Sequence, residues 1–295
     1  MSKIFDGLSK AGAISKKDLE KAAVIQDAEI VADPVGISQP LGVDEPALEP
    51  QGLDETIAQD LQSAPLPVED APRGYSSIPF WMAHPDRYLH IRDNFRVLKN
   101  SLSRIKATSG HKTFMFTGPA RKMGVSTVVF NLGMVFAWEL PDARTVLVDA
   151  DLENPTSLKP FGHADGPGLM DYLSDGLPLS QVLCASFLPN FHLVSLGQSA
   201  RQMKSPFDSP RINQFLDELR VHYDFVVIDS APALSSTNSR IMSAKVDGVV
   251  MVVAANQVRW QVVDELKQEL IRNNANVCGS VLTKRKFVIP KFLYR

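Results

Sequence analysis

Between residues 113 and 283 the chain returns again and again to short, unbroken apolar runs, and that habit constrains its fold more than any other feature. Thr113–Thr117, Thr145–Asp149, Phe191–Ser195, Phe225–Asp229, Gly248–Val253 and Val277–Leu282 all read as strands. The run from Gly248, Gly-Val-Val-Met-Val-Val, has no polar alternation, so both of its faces must be covered. Helical patterns at Ser126–Leu140, Pro210–His222, Ser239–Lys245 and Gln261–Asn273 fall between the strands, and another at Arg87–Ile105 precedes them. Alternation of helices with doubly covered strands predicts an α/β fold over residues 80–285, a doubly wound and mostly parallel sheet.

The first part of the chain has a different composition. Residues 1–24 read as short helical material: Ile4, Phe5 and Leu8 share one face, and Ser15 with Asp18 suggests a capping box. This helix either frays or docks. Residues 25–79 carry Asp and Glu with almost no basic partner and are interrupted by Pro34, Pro40, Pro46, Pro50, Pro65, Pro67 and Pro72. Such a stretch cannot bury enough apolar surface to offset its chain entropy and is expected to be a disordered linker. No apolar run approaches the ~20 residues that span a bilayer, and no secretory leader is readable. A net charge of −2 argues against general nucleic-acid binding. The expected setting is cytoplasmic, with Cys184 and Cys278 as reduced thiols.

Residues 117–127, Thr-Gly-Pro-Ala-Arg-Lys-Met-Gly-Val-Ser-Thr, join a strand to a helix in the manner of a phosphate-binding loop. Such a loop ends Gly-Lys-Ser/Thr: backbone N–H groups cradle phosphate, the lysine reaches the β/γ-phosphates, and the hydroxyl holds Mg²⁺. Gly118, Gly124, Ser126 and Thr127 fit, but Val125 stands at the lysine position. Lys122 or Arg121, inside the loop, offers a substitute charge, or both are solvated.

Two strands end in carboxylates, at the sheet end where open α/β folds carry their chemistry. Val-Leu-Val-Asp149-Ala-Asp151 supplies two, and Val-Val-Ile-Asp229-Ser-Ala-Pro supplies a third. Ser126, Asp151 and Asp229 form a candidate magnesium shell of hard oxygen donors.

With these motifs in place, residues 80–285 resemble the bacterial tyrosine kinases, the P-loop autokinases of capsule and exopolysaccharide assembly. More widely they resemble the MinD/ParA-type ATPases with deviant Walker motifs. The stretch Asp149-Ala-Asp151-Leu-Glu-Asn-Pro155 is similar to the family's second Walker-type motif. Phe161-Gly162 and Gly166-Pro167-Gly168-Leu169-Met170-Asp171 are similar to its Phe-Gly and Pro-Gly-Leu-x-Asp stretch, and Tyr223–Pro232 to its Walker B. Val246-Asp247-Gly248 resembles the start of the next strand, and the opening Met1–Leu8 resembles exopolysaccharide-linked members. The chain departs from the family at Val125, and at Glu153 and Asn154, which replace paired arginines. It departs again at Thr283, which replaces an asparagine near the base, and in the tail, where Tyr294 alone represents a tyrosine cluster. The family's Glu-x-x-Arg-x-x-Arg oligomer motif survives as Asp93, Arg96 and Lys99.

The resemblance implies ATP and Mg²⁺ as cofactors, self-association through the Asp93/Arg96/Lys99 helix, and a membrane co-polymerase (chain-length) protein that recruits the chain to the inner face of the cytoplasmic membrane. With the lysine missing, the expectation is a pseudokinase with a regulatory role in polysaccharide assembly. One alternative is an active autokinase or ATPase. It would use Lys122 for charge and Ser126 with Asp151 or Asp229 for metal, with Asp149 orienting or deprotonating the nucleophile. Another is a positioning scaffold recruited by residues 1–24. The six histidines show no metal spacing, and Trp81, Trp138 and Trp260 read as packing residues. The basic tail 286–295 either touches an anionic surface or is solvated.

Overall fold

The computed structural model describes residues 89–155, 166–198 and 205–284. The expectations for residues 1–24, the linker 25–79, Trp81, Phe161-Gly162, the tail 286–295 and its Tyr294 lie outside these. The described chain runs α1 (Leu89–Ser109), β1 (Thr113–Thr117), α2 (Val125–Glu139), β2 (Thr145–Ala150), α3 (Leu169–Asp175), α4 (Leu179–Val182), β3 (Leu183–Ala185) and β4 (Phe191–Val194). A 3-10 turn at Pro206–Asp208 leads to α5 (Arg211–His222), β5 (Phe225–Ser230), α6 (Thr237–Ser243), β6 (Gly248–Ala254), α7 (Trp260–Arg272) and β7 (Val277–Thr283).

The strands form one sheet of seven in the order β3-β4-β2-β5-β1-β6-β7, parallel throughout except for β3, which runs antiparallel to β4 at one edge. β1, β2, β5 and β6 are buried along their full length, which is why their sequences are unbroken apolar runs. Each strand contributes to two cores in alternation. Phe114, Phe116, Leu147, Val227, Val250 and Val252 face α1 and α2, while Met115, Val146, Val148, Val226, Ile228 and Met251 face α3, α5, α6 and α7.

α2 lies against the sheet and under α1, so its apolar character extends around the helix and ten consecutive residues, Val128 to Ala137, are buried. Its C-terminal end is closed by Asn190, whose Nδ2 donates toward the carbonyls of Ala137, Leu140 and Ala143 at 3.0, 3.1 and 3.0 Å. Of these, the Ala137 carbonyl lies in the last helical turn, which leaves it without an intrahelical partner, while the Leu140 carbonyl also accepts the Ala143 N–H. At the N-terminal ends of β1 and β6 Asp247 ties three elements together. Its Oδ2 accepts from the Lys112 and Thr113 N–H groups at 2.8 Å each, and its Oδ1 accepts from Arg220 Nη2 at 2.9 Å.

The expected strands and helices are present within a few residues of their predicted ends. α5 begins at Arg211 rather than Pro210, with Ser209 Oγ accepting from the Arg211 N–H at 3.3 Å. Three elements are additional. α3, α4 and β3 are short and fill the stretch between β2 and β4, where no periodicity marks them. Trp138 and Trp260 differ from expectation: they are 48% and 72% exposed, not packed. Among the described residues Cys184 and Cys278 form no disulfide; both are partly buried, and burial pushes the Cys278 thiol up to about 11.

Candidate functional site: a phosphate-loop cleft closed by an arginine fork

The C-terminal ends of β1, β2 and β5 meet beneath the loop 118–124. Parallel pairing sets Asp149 opposite Asp229 and Asp229 opposite Phe116. Residues paired in register point to the same face, so both carboxylates lie on the α2 side, 2% and 1% exposed. Two hydroxyls lock β1 to the segment that follows β5. Thr117 Oγ1 donates to the Ala231 carbonyl at 2.9 Å and accepts from the Ala233 N–H at 3.1 Å, and Ser230 Oγ donates to the Phe116 carbonyl at 2.9 Å.

The loop between β1 and α2 has the backbone of a phosphate cradle. A Cβ on Gly118 would stand 2.8 Å from the Val252 carbonyl, so only glycine fits. Gly124 takes φ 92° and precedes α2 with no side-chain cap, leaving the helix start to its own N–H groups. Lys122 also sits at positive φ, 67°, with its side chain exposed. Two residues from the end of β7 brace this turn. Thr283 Oγ1 donates to the Met123 carbonyl at 2.6 Å, and Lys284 Nζ donates to the Lys122 carbonyl at 2.5 Å. Neither brace was anticipated. Thr283 stood out only as a replacement for asparagine, and nothing in the sequence marks Lys284 as a partner of a loop more than 150 residues earlier.

Arg121 makes the strongest contacts in the cleft. Its guanidinium forks onto Asp151, Nη1 to Oδ2 at 2.7 Å and Nη2 to Oδ1 at 3.2 Å, and Nη2 also reaches Glu153 Oε2 at 2.6 Å. The two carboxylates hold the guanidinium firmly protonated, its pKa raised chiefly by the hydrogen bond to Asp151. Asp151 Oδ1 additionally accepts the Glu153 and Asn154 N–H groups at 3.0 Å each. Four donors thus face this carboxylate, three on Oδ1 and one on Oδ2. Backbone and glycines suit a phosphate group. Val125 offers no cation, and Asp151 is already paired with the Arg121 guanidinium, whose charge opposes a dication beside it. The implied metal therefore does not fit this donor set at Asp151. Among the described residues no group of three or more His, Cys, Asp and Glu side chains is arranged to hold a metal ion. A cavity of about 430 Å³ lies elsewhere, between α7 and the ends of β6 and β7, lined by Val258, Trp260, Val263 and Leu282, and no residue of the loop 118–127 lines it.

Two other stretches singled out in the sequence have local structural work. Asp171 Oδ2 accepts the N–H groups of Gly168 and Gln198 at 2.8 and 3.1 Å, tying the start of α3 to the end of β4. A Cβ on Gly168 would lie 2.2 Å from the Ser195 carbonyl, which accounts for the Pro-Gly-Leu-x-Asp spacing. On α1, Arg96 and Lys99 both pair with Glu139 of α2, Lys99 at 2.8 Å, and Arg96 also approaches Asp93 at 3.5 Å.

A parallel sheet with a glycine-led loop between its first strand and a buried helix, and carboxylates at neighbouring strand ends, defines a P-loop NTPase fold. The chain is related to the bacterial tyrosine kinases. It is 29% identical over 189 residues to the putative tyrosine-protein kinase EpsB of Ralstonia nicotianae, an alignment covering 64% of this chain and 25% of that protein. It is 23% identical over 185 residues to the tyrosine-protein kinase CpsD of Streptococcus pneumoniae serotype 4, covering 62% of this chain and 82% of that one. The chain thus spans about a quarter of the length of EpsB. Among solved structures, the kinase domain of the Escherichia coli tyrosine kinase ETK superposes with a TM-score of 0.67 at 23% identity, covering 74% of this chain and 85% of that chain. The VpsO kinase domain superposes with a TM-score of 0.59 at 25% identity, covering 69% and 100%. No protein-family model matches the chain. Among the described residues no helix is long and apolar enough to cross a membrane.

Proposed function

We propose that this chain is a pseudokinase: a tyrosine-kinase-like subunit that regulates capsule or exopolysaccharide assembly by binding a membrane co-polymerase, without transferring phosphate itself. Val125 at the head of α2, where the phosphate-reaching lysine belongs, carries this reading. Phosphoryl transfer depends on positioning and on positive charge at the transferring oxygens. Valine supplies neither. Arg121 is committed to Asp151 and Glu153, and the Lys122 backbone is pinned through its carbonyl by Lys284. What remains around the phosphate position is four carboxylates, Asp149, Asp151, Glu153 and Asp229, against Lys122, Lys284 and an Arg121 already committed to two of those carboxylates.

The partner role is supported by kinship with named capsule-type kinases and by the CapA2B2 chimera, whose fold this chain shares at a TM-score of 0.64. The decisive experiment incubates purified protein with Mg-ATP, measuring binding by calorimetry and phosphotyrosine by mass spectrometry. Weak or no binding and no phosphotyrosine are expected. Micromolar ATP affinity together with phosphate on tyrosine overturns the proposal and restores an autokinase dependent on Lys122.

A further inference from the structure

We propose that Arg121 is the resident cation of the cleft, standing against Asp151 in place of a divalent metal ion and holding the phosphate loop in its folded form with neither metal nor nucleotide bound. This deepens the pseudokinase reading and rests on it only in assigning the same cleft.

The geometry has three parts. First, the fork is bidentate, 2.7 and 3.2 Å to the two oxygens of Asp151, a match that a planar guanidinium makes with a carboxylate and that an ammonium does not. Second, Asp151 is 5% exposed and takes two backbone N–H groups at 3.0 Å on the same oxygen that receives Nη2. Oδ2 takes Nη1 alone, so a metal ion could gain that oxygen only with the guanidinium beside it, and repulsion between the two cations opposes its entry. Third, Glu153 holds Nη2 from the other side at 2.6 Å, so the fork is secured by a second carboxylate. The fork also crosses from the loop to the end of β2, linking the two walls of the cleft through a charge pair with one largely buried partner. That link is built from the chain itself, and a phosphate-bearing ligand entering the cleft would bind without a metal ion.

Manganese binding tests this without any turnover. Electron paramagnetic resonance titration of Mn²⁺ is compared between wild type, Arg121→Met, which keeps the aliphatic stem, and Asp151→Asn. Uncovering Asp151 beside Asp149, Glu153 and Asp229 should tighten Mn²⁺ binding in Arg121→Met by about tenfold or more over wild type, since a freed buried carboxylate regains at least one charge-assisted contact. The melting temperature of Arg121→Met should fall and be restored by Mn²⁺, while that of wild type should not respond. Equal Mn²⁺ affinity in wild type and Arg121→Met overturns the proposal. So does a wild-type Mn²⁺ site that weakens in Asp151→Asn, a comparison that stands even if Arg121→Met does not fold. Phosphotyrosine formed by a wild type with no Mn²⁺ site would remove the pseudokinase reading and leave this one intact. Silence in the kinase assay with a wild-type Mn²⁺ site at Asp151 would do the reverse.

Discussion

Restoring the absent ammonium by Val125→Lys tests whether the head of α2 faces phosphate at all. Val125 is half-buried and packs at the rim of the core shared by α1 and α2, so replacing it forfeits about 1 kcal/mol, roughly half the value of a fully buried valine. The stem of a lysine recovers part of that by lying along the same apolar rim. For a domain of this size the melting temperature should drop by about 2–4 °C at most, and the fold should survive. Against this, a charge-assisted hydrogen bond to a phosphate oxygen is worth about 1.5–3 kcal/mol, or roughly 10- to 150-fold in affinity. Calorimetry with ADP in the presence of a chelator reads that gain without metal. Phosphotyrosine should still be absent, because Arg121 continues to occupy Asp151. An ADP affinity within about threefold of wild type, in a variant whose melting curve shows it folded, would refute the placement of residue 125 at the phosphate position, since even the weakest such bond exceeds that factor.

Three further perturbations follow from contacts away from the loop head. Asp247→Asn leaves one acceptor for donors from Lys112, Thr113 and Arg220, and should cost about 2–4 kcal/mol in urea unfolding at neutral pH. Burial alone would raise the carboxyls of Asp224 and Asp247, but Lys106 and the Arg144 N–H outweigh it at Asp224, as the Lys112 and Thr113 N–H groups and Arg220 do at Asp247, so both end below the ordinary value of 3.8. Their contribution is therefore fully present above about pH 4 and lost as pH falls through the lowered values, and Asp247→Asn should flatten that part of the acid-unfolding curve. Thr283→Val removes the 2.6 Å bond to the Met123 carbonyl and should cost about 1 kcal/mol, with faster hydrogen exchange confined to the loop after β1. Gly168→Ala forces a methyl to within 2.2 Å of the Ser195 carbonyl and should lower stability by about 3 kcal/mol or more, read by thermal melting.

The sheet was legible because its central strands are covered on both faces and so cannot alternate, a pattern that Val146-Leu147-Val148 and Val226-Val227-Ile228 declare without ambiguity. The loop was legible for a related reason: Gly118 and Gly124 answer to backbone constraints that few other residues meet. α3, α4 and β3 were not, since elements of seven, four and three residues carry too few turns or alternations to show a period. The exposed Trp260 was misplaced because large aromatic residues are usually covered, while α7 turns it outward at the rim of a groove. Arg121 was recognised as a cation in the loop, yet its engagement with Glu153 depends on the path of the chain after β2, which spacing along the sequence does not disclose. Thr283 and Lys284 escaped notice as braces for the same reason.

The pairing of Asp149 with Asp229 has a consequence for how such a protein changes over time. Their positions are written into the hydrogen-bond ladder of β2 and β5, where a slip of one residue would turn each carboxylate to the opposite side of the sheet and carry its neighbours Leu147 and Val227 with it. Mutation cannot shift them singly without unpicking the whole domain. The loop above them is outside that ladder, and apart from Gly118 and Gly124 its side chains can be exchanged one at a time while the scaffold stands. Descendants of an ancestral enzyme built this way would lose their chemistry first in the turn and keep the acidic floor as a lasting imprint of it.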